Sequence, residues 1–366
     1  MPASADPLGV PMRGTARWWL FVFVVAVLTA ALGTVGWIGT RESRGAPVTA
    51  SRPLAVVLLP DVGRSTLVVV DLLAGTVVRR IGLRSTATDI AVDASSGLVV
   101  GAQSGGFGPD VDRAASLTDV RAGTVRYVEL PSYDPGDVAC AAGRAFLLHS
   151  TVEASGAVFS VVDVAGARVA ATGNVPGPPG LWTSGAGAVW ATCEDTFGER
   201  SLCRLDPGTF ARSTFRLGTV RPMGLAEADG RPLVLGSDGT GTVVAVDPED
   251  GAVEASAPVI GLLQAPRRAV QVGRSLVVGD WSGDEPEGRA LRRLDAGTLR
   301  DLGPLRVDGV PCALAAWDGR LLVVDRERGR LLVIDPESGR ARSVIELGES
   351  GLVFSDVVVV GAGEEG

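Results

Sequence analysis

Seven short apolar runs, each closing on an Asp that is followed within a few residues by Gly, constrain this chain more than any other feature. LVVVDLLAGTVV sets Asp71 before Gly75, SLTDVRAGTV sets Asp119 before Gly123, and SVVDVAGARV sets Asp163 before Gly166. LCRLDPGTF, VVAVDPEDGAV, LRRLDAGTL and LLVIDPESGRA continue the series with Asp206, Asp247, Asp295 and Asp335. The spacing of about 40 to 48 residues is that of one four-stranded propeller blade. An Asp in such a turn accepts local backbone hydrogen bonds, Pro presets φ and Gly takes the left-handed position, so these acids read as turn residues.

Each full unit reads as strand A, a turn, strand B, a loop, strand C, the Asp-to-Gly turn, and strand D. Residues 311–347, PCALAAWDGRLLVVDRERGRLLVIDPESGRARSVIEL, show it most clearly. The ends are incomplete: only the strand Leu54 to Pro60 precedes the first Asp repeat, and one strand, Val353 to Val360, is left over after blade seven. Pairing these two completes a blade, closes the ring and removes an exposed sheet edge. The expectation is an all-β, seven-bladed β-propeller over residues 54–360, with a short tail at 361–366. Because the break falls in an A–B turn, the chain enters on the face of the A–B and C–D turns. The B–C loops and D–A connections form the opposite, outward face.

The repeat resembles YVTN-type bacterial β-propellers and the wider NHL-like and quinoprotein-like propellers. RPMGLAEADGRPLVLGSDGTGTVVAVDPEDGAV, residues 221–253, carries their Pro-x-Gly-Leu-Ala, Asp-Gly and Val-x-Val-Asp landmarks. That motif is a blade motif, so the resemblance implies a fold and little about activity. The Tyr-Val-Thr-Asn run, Kelch glycine pairs and the Gly-His to Trp-Asp signature are absent, and Trp317-Asp318 sits at an A–B turn.

From Trp18 to Thr40 the run WWLFVFVVAVLTAALGTVGWIGT is uncharged, with tryptophans near both ends. As a helix it reaches roughly 34 Å, enough to cross a bilayer. Arg13 and Arg17 precede it, while Arg41, Glu42 and Arg44 follow, a weak positive-inside bias. The expectation is a cytoplasmic tail at 1–17, a single-pass transmembrane signal-anchor at 18–40, a tether at 41–53 and an extracytoplasmic propeller. A cleaved signal peptide, with Thr29-Ala30-Ala31 as cleavage site, is the rival.

The side-chain inventory closes much of chemistry. The sequence holds no lysine, one histidine (His149) and one asparagine (Asn174), which removes Schiff-base catalysis and His-cluster metal sites. A net charge of -8 argues against nucleic acid as partner. Cys193 and Cys203 flank the B–C loop of blade four and are expected to form a disulfide in an exported domain. Cys140 and Cys312, on non-neighbouring A strands, read as small core residues, and His149 as a surface or half-buried side chain. The long B–C loops, Gln103 to Ala115 and Asp280 to Arg289, carry Asp110, Asp112, Asp280, Asp284, Glu285 and Glu287, read as solvated loop charge ahead of a partner or cation site.

One constellation remains at the heads of the A strands. In the column of Gly224 stand Asp356, Asp89 and Asp137 on blades one to three, then Gly180, Arg268 in blade six and Ala313 in blade seven. Three carboxylates at one side of the channel mouth, with Arg268 opposite, suit Ca²⁺ or a cationic ligand. The competing reading is that each acid bonds the backbone of the neighbouring blade. The expected function is a non-catalytic, membrane-anchored scaffold that holds an envelope protein or small ligand at its outward face. The alternative is a propeller enzyme, a lactonase-like hydrolase or quinone-dependent dehydrogenase, for which the lone Asn174 and the lack of adjacent cysteines are a poor fit.

Overall fold

The apolar runs between turns are short and rich in β-branched residues, which favours strands over helices. In the computed structural model, residues 52–61, 63–104, 112–153, 156–175, 182–185, 187–194, 200–218, 220–237, 241–259, 268–279, 290–348 and 355–361 are described. Among them, strands assemble into seven four-stranded antiparallel sheets, the seven blades. The unit Arg44–Gly366 holds them all, and the other unit, Met1–Ser43, lies wholly outside the described residues. Among the described residues no helix is long and apolar enough to cross a membrane; the expected anchor and most of the tether fall outside them.

Blade one is built from both ends of the propeller. Its strand A, Asp356–Val360, pairs antiparallel with its strand B, Leu54–Asp61, in a register running from Leu54↔Val360 to Leu58↔Asp356. Strand A therefore starts at Asp356, inside the leftover run Val353 to Val360.

Among the described residues, seven apolar clusters make up the core, one at each blade-to-blade interface. Ala55, Val57 and Leu59 pack toward blade seven, whereas Leu54, Val56 and Leu58 of the same strand pack toward blade two. Both faces of a blade are thus buried, which is why the B and C strands are almost continuously apolar instead of alternating.

Turn chemistry sets the outline. Asp71 Oδ1 accepts the backbone N–H groups of Leu73 (3.0 Å) and Ala74 (2.9 Å), and Gly75 completes the turn at φ 65°. Asp119, Asp247 and Asp335 make the same pair of bonds. At the A–B turns, Asp229–Gly230 and Asp318–Gly319 have positive φ at both positions, the primed hairpin geometry. Arginines then stitch blade to blade: Arg231 Nη2 donates to the carbonyls of Ala296 (2.7 Å) and Gly297 (3.2 Å) in the next blade's C–D turn. Arg144 and Arg293 reach the turns at Pro207–Gly208 and Pro336–Glu337 in the same way.

Candidate functional site

The residues aligned at the A-strand heads share one structural level. Asp356, Asp89, Asp137, Gly224, Arg268 and Ala313 pair with Leu58, Ala102, Leu148, Leu235, Gly279 and Val324, in each case the fifth residue of strand B. Bulges lie just before Asp89, Asp137, Gly224 and Ala313, and re-aim the strand there. Gly180 lies outside the described residues, and so does the side chain of Arg268.

Asp89 is buried, and its Oδ2 accepts the backbone N–H of Val138 in strand A of blade three at 2.9 Å. Asp356 is also buried, with Oδ1 accepting the N–H of Val357 at 2.9 Å, whereas Asp137 is half-buried. Among the described residues no group of three or more His, Cys, Asp or Glu side chains is gathered as a metal would require. Asp89 bonds across the interface of blades two and three.

A second column, one residue further along strand B, was missed by the sequence reasoning. It holds Gln103, His149, Cys193 and Asp325 in blades two, three, four and seven, all buried. Gln103 Nε2 donates to Ser116 on strand C at 3.1 Å, and its Oε1 is 2.9 Å from the Ser85 hydroxyl on the incoming connection. His149 Nδ1 lies 3.1 Å from the carbonyl of Tyr133 on its connection, and Nε2 lies 2.8 Å from Ser160 on strand C. Asp325 accepts from Val310 N–H (3.0 Å) on its connection and from Arg330 Nη2 (2.8 Å) on strand C. Cys193 is joined to Cys203 on strand C with a Cα–Cα distance of 6.1 Å, although the register pairs Cys193 with Ser201 and Cys203 with Ala191. Each of these four blades ties strand B to strand C, and in three cases to the incoming connection, with different chemistry at one position.

His149 departs from the surface or half-buried position expected for it. It sits at an irregularity between strands B and C of blade three, and both it and Ser160 are 0% exposed. A carbonyl only accepts, so Nδ1 carries the proton and Nε2 accepts from the serine hydroxyl in the neutral ring. Burial pushes the His149 pKa down, offset in part by the Tyr133 carbonyl and Asp134. The arrangement has the parts of a serine–base pair, but no substrate reaches a dyad with no exposed surface.

Asp112 likewise departs from the solvated loop acid expected. Arg84 grips its carboxylate through Nε (3.0 Å) and Nη2 (2.8 Å), donates also to Glu129 (2.6 Å), and stacks over Tyr127 at 4.6 Å. Burial works against the Asp112 charge, yet Arg84 and the Ser85 hydroxyl hold its pKa below the usual carboxylate range. Beside it, Tyr133 is 53% exposed with the Arg113 guanidinium 5.2 Å from its ring. Both tyrosines of the chain thus lie under arginines on the D–A connection side of blades two and three. Asp110, Asp280, Asp284, Glu285 and Glu287 lie outside the described residues. Cys140 and Cys312 are buried free thiols; burial raises both pKa values, that of Cys312 to about 12.

No family model and no curated protein sequence matches the chain. Similarity to solved structures is extensive and remote. Apo AztD from Citrobacter koseri superposes with a TM-score of 0.55 at 16% identity, covering 85% of this chain and 99% of that one. The dihydro-heme d1 dehydrogenase NirN, in complex with DHE, gives 0.58 at 13% identity, covering 86% and 67%. A candidate 6-phosphogluconolactonase from Bacteroides uniformis gives 0.61 at 14% identity over 84% of this chain and all (100%) of that one. At such identities the likeness is one of fold, and the chain is similar to these proteins as a seven-bladed, four-stranded propeller.

Proposed function

We propose that this chain is a non-catalytic binding or scaffolding propeller, anchored in the cell membrane through residues 18–40 and held on the extracytoplasmic side. It engages an envelope protein or small ligand with its outward face, and its repeat belongs with the YVTN and NHL-like types. The observation that carries the reading is the surface at blades two and three, where Tyr133 stands exposed beneath Arg113 beside the Arg84–Tyr127 stack. Tyr and Arg dominate the energetics of protein interfaces, because both bury large area with a polar handle. The buried His149–Ser160 pair weighs in the same direction, since the chain's one imidazole is spent on packing.

Two experiments test this. Protease added to intact spheroplasts is expected to digest the propeller, and protection of the domain removes the topology. Solubilised membranes passed over wild type and Tyr133→Ala should yield a partner retained by the first and lost by the second. The runner-up, a propeller enzyme, is favoured by the fold likeness to the candidate lactonase. Metal-dependent lactone hydrolysis or a cofactor absorbance in the purified protein would put it first.

A further inference from the structure

The third residue of the Asp turn varies round the ring in a directed way. It is Leu73 in blade one and Arg121 in blade two, Glu249 in blade five and Glu337 in blade seven, and Ala or Gly in the rest. Leu73, 66% exposed, is the most exposed large apolar side chain among the described residues. It stands where the chain enters the propeller: Arg52 pairs with Asp71 at 2.6 Å, and Arg121 Nη2 donates to the Arg52 carbonyl at 2.8 Å. The Arg79 guanidinium lies over Gly123 of the neighbouring turn, where any Cβ would strike it. The sector of blades one and two therefore presents an exposed leucine on one turn and Arg52, Arg79 and Arg121 at or beside that turn and the next, while turns at blades five and seven present glutamates.

We propose that this sector is a docking surface for an anionic phospholipid bilayer, with Leu73 entering the headgroup layer and the arginines facing lipid phosphates. The proposal rests on the anchored reading above. On that reading the chain leads from its membrane segment into the propeller at Arg52, on the face of the A–B and C–D turns that carries Leu73. Apolar insertion and arginine–phosphate attraction reinforce each other at an interface. The glutamates at blades five and seven oppose contact there, so the propeller is expected to lean on blades one and two.

The test uses the full chain in nanodiscs of phosphatidylcholine alone or mixed with phosphatidylglycerol, read by amide hydrogen exchange. In the anionic discs the turn 71–75 should exchange more slowly than in neutral discs by at least about fivefold, the factor one arginine–headgroup contact supplies. The turn 247–251 should not change. Leu73→Asp should abolish the protection and Leu73→Trp should increase it; the exposure of Leu73 makes either variant compatible with folding. Equal exchange at 71–75 in both lipids, with the chain still on the disc, overturns docking and leaves the anchor standing. Protection that depends on protein concentration instead of lipid charge points to a second copy and also overturns it. A chain that never enters the discs removes the anchor reading and the docking surface together.

Discussion

The Nε2 atom of His149 lies 2.8 Å from the hydroxyl of Ser160, and neither residue has exposed surface. The ring is the chain's only imidazole, and its pKa is lowered by burial, so the folded state binds its proton less readily than the unfolded chain. Stability from this group is complete above the unfolded value of about 6.5 and falls as pH drops below it. Thermal melts from pH 8 to pH 5 should show a declining midpoint. His149→Gln, the residue blade two carries at the same position, should flatten that decline, and an unchanged slope would contradict the assignment.

Asp89 supplies the acceptor for Val138 N–H across the blade two–three interface. Asp89→Ala leaves a buried donor unpaired and should cost about 1–3 kcal/mol in urea unfolding, whereas Asp89→Asn, which retains an acceptor oxygen, should cost less. Calcium at millimolar concentration should leave the melting midpoint of the wild type in place. A calcium-dependent rise, lost when Asp89, Asp137 and Asp356 are all changed to Asn, would instead establish a cation seat.

Cys193 and Cys203 close a loop with a sequence separation of 10 residues. Restriction of the unfolded chain by such a loop is worth about 2–3 kcal/mol. Alkylation of unreduced, denatured protein should modify Cys140 and Cys312 and spare this pair. Cys203→Ser should lower stability by that amount, and free thiols at both positions would refute the bridge.

Ala142 opens an A–B turn at φ 50°, ahead of Gly143 at φ 74°, where blades five and seven carry Asp-Gly. An alanine in the left-handed region is strained, and Asn tolerates it better. Ala142→Asn should stabilise the propeller by about 0.5–1 kcal/mol, measured by denaturant midpoint, while a loss of stability would show the turn is held by something other than its own φ preferences.

What was legible in the sequence follows from what is local. The Asp71-to-Gly75 turn and its six counterparts are encoded within a few residues, so counting them gives the blades, and the unpaired strands at Leu54 and Val360 give the closure. Side-chain ties across a blade are not local. His149 reads as a surface or half-buried residue and Asp112 as loop charge until the first is seen against Tyr133 and Ser160 and the second against Arg84. The signal was nonetheless present: aligning the sixth residue of each B strand brings Gln103, His149, Cys193 and Asp325 into one column, a run of polar side chains and one cysteine in strands that are otherwise apolar. The column of Asp89, Asp137 and Asp356 is visible by alignment, but the bond from Val138 to Asp89 depends on the neighbouring blade's backbone.

In the proposed function, the surface around Tyr133 at blades two and three is where this propeller meets its partner. Photocrosslinking from p-benzoylphenylalanine at position 133 in intact cells, with position 344 on the outer strand of blade seven as reference, tests it most directly. Val344 is nearly as exposed as Tyr133, at 47% against 53%, so accessibility alone does not separate the two. A discrete light-dependent adduct at 133, weakened by Arg113→Glu and absent at 344, is the predicted result; no adduct at 133, or the same adducts at both positions, would contradict it.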